Sequence, residues 1–358
     1  MKNALLDGIR VVDFTQYLPG PFATQRLVDF GAEVIKIEAL QGDPARHMGE
    51  AIAEAGVVFI ENNRGKKSVA LNLKSKEGRT IALRLIAKSD IVIESFRPQV
   101  MSKLGLSYED VKRVKQDIIY CSLSGYGQSG PASNLASHDI NYLALSGILT
   151  QLSDEEGRPV QPTVQLADLI GGIVANEAIL AALTKRTREG LGSYLDLSLL
   201  DAMNELMNNH RKIYALSGKQ DGIPLIDGSV ISYHIYETKD NRFVSLGALE
   251  FKFWQNFCQA LHKEDWLQAH YSRAKADNPI YLEVIDVFKS KSLEEWTEFG
   301  FTIDCCLTPI LETLELEDHA ITKAAAPLLA EHTDQLLTEL LHVNETELQQ
   351  WKERGIIL

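Results

Sequence analysis

Metal and disulfide chemistry are poorly provided for in this chain of 358 residues. It carries four cysteines, Cys121, Cys258, Cys305 and Cys306, two adjacent and none in a C-x-x-C pair. Such spacing builds neither a disulfide framework nor a thiolate metal site. The nine histidines are scattered, with no H-x-x-x-H pair on a helix, so no metal is expected. An uninterrupted apolar run of about 20 residues is also missing, which predicts no membrane span and no membrane partner. The first residues lack the apolar stretch of a secretory signal, and Gly355-Ile356-Ile357-Leu358 is no targeting address; a cytoplasmic location is the expectation. A net charge of −13 argues against nucleic acid as a partner.

What is present is enough apolar sequence, 45%, for about two domains with real cores. Charge is unevenly spread. Residues 1–104 carry about +3 and the remainder about −16. A polyanionic small ligand would therefore prefer the N-terminal third, unless its lysines and arginines are simply solvated.

That third alternates β-branched runs with amphipathic segments. Residues 9–14 and 33–38 read as buried strands around a helix over 21–30 that begins at a proline and stops at Gly31. Strand, helix, strand at this spacing is a βαβ unit of a parallel sheet. Further strands are expected at 69–73, 90–94 and 118–123, with a helix over 77–88. The fold class is α/β: a large doubly wound, Rossmann-like domain over 1–204, with a buried apolar helix over 166–184. A linker at 205–225 then leads to a smaller α+β domain at 226–310. A return segment at 311–358 ends in acidic amphipathic helices packing on the large domain.

Two residues stand out chemically. His138 opens Ser137-His138-Asp139-Ile140-Asn141-Tyr142, and Asp168 closes an apolar run just before Gly171 and Gly172. A histidine and a carboxylate on opposite faces of a small substrate suffice to move a carbon-bound proton both ways. Each also has an ordinary reading: His138 as a helix cap or core residue held by Asp139, and Asp168 as the N-cap before Leu169.

The order of motifs resembles class III CoA-transferases. These are residues 6–13 with Pro19-Gly20-Pro21, residues 31–38 with Gly42-Asp43-Pro44-Ala45-Arg46, then Asn63-Arg64-Gly65-Lys66-Lys67-Ser68, Glu94-Ser95-Phe96-Arg97-Pro98 and residues 124–131. That superfamily holds both CoA-transferases and α-methylacyl-CoA racemases. The resemblance implies an interlocked homodimer with its active site at the subunit interface, an acyl-CoA thioester as substrate, and no cofactor beyond the CoA moiety. Asp168 would be the nucleophile of a transferase or one of two bases in a racemase. The stretch from His138 to Gly147 looks like the racemase version, in which the histidine is the second base. No glycine cluster of the formyl-CoA transferase kind precedes Tyr233, and Val244–Glu250 looks like the racemase segment whose Glu250 reaches that histidine. The expected activity is inversion of the α-carbon of a 2-methylacyl-CoA by two-base proton transfer, with CoA transfer through an Asp168 adduct as the alternative. For CoA itself, Arg46, Arg64, Lys66, Lys67, Arg97 and Lys103 are the candidate cations, Arg46 and Arg97 foremost, while Leu71, Asn72, Phe96 and Tyr126 would frame its path. Lys66 and Lys67 read more readily as surface charge. The connection through Asp318-His319-Ala320 is shorter than in the family, which bears on the shape of the acyl pocket.

Overall fold

A computed structural model describes residues 4–52, 55–154, 156–220, 222–316 and 325–358. The connection at Asp318-His319-Ala320 lies outside them. The chain divides into two compact units, Met1–Met207 with Ala320–Leu358, and Asn208–His319.

The first unit is built on six strands: β1 (Arg10–Asp13), β2 (Glu33–Glu38), β3 (Lys67–Ala70), β4 (Ile91–Glu94), β5 (Ile119–Ser124) and β6 (Ser193–Ser198). They lie in the order β3-β2-β1-β4-β5-β6, every neighbouring pair parallel. The alternation of side chains explains the two layers around this sheet. Val12, Ile35, Val69 and Val92 face one core with Leu85 and the C-terminal Leu336 and Leu337. Val11, Val34, Ile91 and Ile119 face the other, where Leu27, Ala175, Ile179 and Leu199 meet them. Both faces are covered, as a doubly wound parallel sheet requires.

Helix α1 (Pro19–Asp29) has prolines in its first turn and is followed by Gly31 at φ 99°. The next two helices that matter are α2 (Asp139–Ser146) and α3 (Leu166–Glu189). Two glycines bring the neighbours of α3 close. A Cβ on Gly171 would stand 2.1 Å from the Leu199 side chain, and one on Gly172 would stand 2.8 Å from the Pro19 carbonyl. The Asn176 amide donates to the Ala23 carbonyl at 3.0 Å, tying α3 to α1. Helix α4 (Leu199–Leu206) follows β6 directly, capped by the Ser198 hydroxyl.

Some elements depart from expectation. The strand expected at 69–73 lies at Lys67–Ala70, because Leu71 and Asn72 pair instead with the C-terminal segment: Leu71 bridges Ile357, and the Asn72 N–H donates to the Ile356 carbonyl. The stretch at 205–225, expected as a linker, contains a helix at Asn208–Ser217, none of whose residues is buried. Helix α3, with 24 residues, is long and apolar enough to cross a membrane by length and composition, although it is not an uninterrupted apolar run. Its role in this fold is that of a core helix, with Asp168, Asn176 and Glu177 interrupting it and Gly171, Ala175 and Ile179 buried against the sheet layer.

The second unit carries three antiparallel strands, β7 (Tyr233–Glu237), β8 (Phe243–Gly247) and β9 (Leu307–Pro309), in the order β9-β8-β7. Helices at Phe251–Ala260, Pro279–Phe288 and Leu293–Thr302 accompany them. Trp254, Phe257, Trp266 and Trp296 fill its core, all fully buried.

Candidate active site

In an open parallel sheet the strand order reverses between β1 and β4. Chains leaving these two strands turn to opposite faces, which opens a crevice at their carboxyl ends. A cavity of about 630 Å³ lies there. Its wall comes from Gln16 and Tyr17 after β1, Ser95, Phe96 and Arg97 after β4, and Gly125 and Tyr126 after β5. His138 just before α2, Asn141 and Tyr142 of α2, Asp168 of α3 and Leu199 of α4 also line it. Two residues far apart in sequence thus line one crevice.

His138 is the N-cap of α2; its N–H donates to the Asn141 side chain at 2.9 Å. The ordinary reading and the chemical one hold together, because a cap residue stands outside the helix with its side chain at the cavity wall. Asp168 is not the N-cap expected for it. Helix α3 starts at Leu166 after Gln165, so Asp168 sits inside the first turn. Its N–H donates to the Asp139 carboxylate at 3.0 Å, satisfying a helix-end donor that has no partner within the helix. Burial, with the Asp139 charge adding to it, raises the Asp168 carboxyl to about 7. The Tyr142 hydroxyl pairs with the Ser137 hydroxyl at 2.8 Å beside them. A Cβ on Gly125 would stand 2.5 Å from the Tyr142 oxygen, so glycine there keeps this wall open.

The other candidates divide sharply. Phe96, Arg97 and Tyr126 line the cavity. Lys103 ends a short helix, exposed and outside the lining. Arg46 does not take the role expected of it: its guanidinium makes a two-pronged bond to Glu38 at 2.8 and 2.7 Å, touches the Pro327 carbonyl and lies over the Phe59 ring. It is a cross-link in the fold, not a free cation for phosphate. Lys66 is likewise buried, bonded to Asp13, Thr24 and Asn63, and burial lowers it to about 7 against the pull of Asp13. Lys67 pairs with Glu33 and Arg64 with Glu61. Leu71 is 1% exposed in the core, and Asn72 ties the C-terminus through the Gly355 carbonyl; neither lines the cavity. Glu250 belongs to the second unit, where it precedes the helix Phe251–Ala260 with its carboxylate exposed. Among the described residues no three His, Cys, Asp or Glu side chains gather as a metal site.

Gln16, Tyr17, Asn141 and Tyr142 were not singled out from the sequence. The first two come directly after the first strand of a βαβ unit, and that position alone marks the crevice of such a sheet.

Similarity to known proteins decides the family. The model for CoA-transferase family III fits residues 6–353. The chain belongs to that family. This family III chain is 35% identical to the alpha-methylacyl-CoA racemase of Mus musculus over 331 residues, 91% of the chain and 83% of the relative. It is 38% identical to the succinyl-CoA:glutarate CoA-transferase of the same organism over 242 residues, 67% of the chain and 56% of that relative. Among solved structures, a CAIB/BAIF family protein from Brucella suis superposes with a TM-score of 0.80 at 26% identity, covering 94% of this chain and 99% of that one. Racemases and transferases stand at similar identity, so similarity alone does not choose between the two reactions.

Proposed function

We propose that the chain takes an acyl-CoA thioester and inverts its α-carbon, a 2-methyl-substituted one, by removing the α-proton on one face and returning a proton on the other. The observation that carries this is the presence of both His138 and Asp168 on one cavity, with the Asp168 carboxyl near 7. A group whose pKa lies near the working pH is present in both protonation states, and proton transfer is fastest with such a group. In one direction the Asp168 carboxylate takes the α-proton while the His138 imidazolium gives one to the opposite face; in the other the roles exchange. The positive end of the 24-residue α3, whose first turn carries Asp168, favours the negative charge that develops on the thioester oxygen.

Arg97 is the one lysine or arginine in the described cavity wall, and it is assigned to an anionic group of the CoA moiety. Lys103 is assigned to a phosphate further out. Glu250 is assigned to the imidazole of His138 in a second copy of the chain, where it would fix the tautomer and hold the imidazolium.

A second reading is CoA transfer, favoured by the transferases among the relatives. There the Asp168 carboxylate attacks the thioester carbon and expels the CoA thiolate, which then attacks the aspartyl carbonyl of the mixed anhydride and releases the donor carboxylate. An acceptor carboxylate displaces CoA from this aspartyl thioester, and the thiolate takes the acceptor acyl group from the new anhydride and frees Asp168. Intact mass after incubation with acyl-CoA separates the two. An acyl or CoA adduct that disappears in Asp168→Ala supports transfer; an unmodified chain supports inversion.

A further inference from the structure

Tyr17 has an unusual backbone. It is a non-glycine residue at φ 65°, 46% exposed, and lines the cavity. A left-handed conformation is costly for a side-chain-bearing residue and persists only where the surroundings over-determine it.

Here they do. Every backbone N–H from Thr15 to Tyr17 is tied down by a side chain: Thr15 donates to Asp13 at 2.8 Å, Gln16 to Ser95 at 3.2 Å and Tyr17 to Asp43 at 3.1 Å. The Thr15 carbonyl accepts from the Lys36 ammonium at 2.9 Å. Lys36 and Asp43 form an ion pair at 2.8 Å, their side chains 0% and 1% exposed. Burying such a pair requires charge-assisted hydrogen bonds to offset lost hydration, and two of those bonds go to this three-residue loop. Stability alone does not call for a tyrosine at this point, since glycine would adopt the conformation without strain.

We infer that Tyr17 is a specificity-determining residue, whose ring packs on the acyl and thioester end of the substrate, and that Asp43 and Lys36 are positioning residues that hold it there. This rests on reading the cavity as an acyl-CoA site. The α-carbon has to lie between His138 and Asp168, so the thioester and the alkyl chain beyond the α-carbon share their cavity, and Arg97 is left to the CoA side. Phe96 and Tyr126, expected to frame the CoA path, line the same cavity as Tyr17, so rings able to meet an alkyl chain are present beside the reacting pair.

The test is titration calorimetry of the full chain with free CoA, 2-methylbutanoyl-CoA and 2-methyldecanoyl-CoA, on wild type, Tyr17→Gly and Tyr17→Phe. Glycine removes the ring while favouring the backbone. Tyr17→Gly is expected to weaken both acyl-CoAs about three- to tenfold, the range of one aromatic contact, to leave free CoA unchanged and not to lower Tm. Tyr17→Phe is expected to bind as wild type. Asp43→Ala should reproduce the loss of acyl affinity, and Asp43→Asn, which keeps an acceptor for the Tyr17 N–H, should recover at least part of it. Unchanged acyl affinity in Tyr17→Gly, or an equal loss for free CoA, overturns the assignment alone. A wild type that binds no acyl-CoA overturns the acyl-CoA reading and this assignment with it.

Discussion

The backbone N–H of Asp168 donates to the carboxylate of Asp139 at 3.0 Å, so the residue next to His138 caps the helix that carries Asp168. One short segment thereby carries the histidine and ties down the first turn that bears the carboxyl, and the charge of Asp139 joins burial in raising that carboxyl to about 7. The same residue thus touches both the placement of Asp168 and, after burial, its acidity.

Asp139→Asn separates them. The amide oxygen still accepts the Asp168 N–H, but the negative charge is gone. The pH–rate limb in which Asp168 acts as base should move to lower pH, while burial keeps it above the ordinary 3.8. The α-proton exchange rate measured from about pH 5 to about pH 9 checks this; a limb that stays in place means the two carboxyls are not coupled.

Asp168 also makes stability depend on pH. Its carboxyl is raised to about 7 in the fold and titrates near 3.8 when unfolded. The folded state therefore retains a proton that the unfolded state loses, and stability falls as pH rises from about 4 to about 7. Asp168→Asn removes this loss. The variant should be more stable than wild type by on the order of 2 kcal/mol at about pH 8, after allowance for the side chain's partial exposure, and by little at about pH 4. Thermal melts of both proteins across that range give the difference directly. Glu94, also raised to about 7 by burial, contributes equally to both curves.

Arg46 and Arg97 should fail in opposite ways. Burial works against the Glu38 charge, but Arg46 and Lys36 outweigh it and hold the carboxyl below its ordinary value. Arg46→Met leaves Glu38 buried without its main partner, and should destabilise the fold by roughly 3–5 kcal/mol. Arg97→Met, on the exposed cavity wall, should leave Tm in place and raise KM for acyl-CoA about tenfold or more. Melting curves beside steady-state kinetics distinguish them, and the reverse pattern would restore Arg46 as a ligand for CoA.

These two arginines show what could be read from the chain and what could not. The strands expected at 33–38 and 90–94 and the helix expected at 77–88 are visible because side chains alternate over two cores, and they lie at Glu33–Glu38, Ile91–Glu94 and Lys76–Ile86. His138 and Asp168 stand out because a histidine and a buried acid beside glycines are rare company. The ion pair between Arg46 and Glu38 is invisible, since the guanidinium and carboxylate of a motif look alike whether they meet a ligand or each other. Tyr17 escapes notice for another reason: its value lies in a backbone angle imposed by Asp43 from a different loop. The helix at Asn208–Ser217 buries none of its residues, so nothing packed within the chain explains it.

If Glu250 of one copy serves His138 of another, His138→Ala and Glu250→Gln homo-oligomers should each lose about 10²-fold or more in rate. Mixing them under conditions that exchange subunits should recover activity at the sites that carry both native residues. Mixtures no more active than their components would contradict that assignment.

Inversion requires His138 and Asp168 to act on opposite faces of one carbon. Deuterium incorporation at the α-carbon of each enantiomer of 2-methyldecanoyl-CoA in D₂O, with wild type, His138→Ala and Asp168→Ala, reads this out without intermediaries. Two-base inversion predicts exchange with loss of chirality in wild type, and loss of inversion in both variants, any residual exchange being confined to one enantiomer and opposite in the two. Absence of exchange in wild type, with CoA passing to an added carboxylate and stopping only in Asp168→Ala, would contradict it.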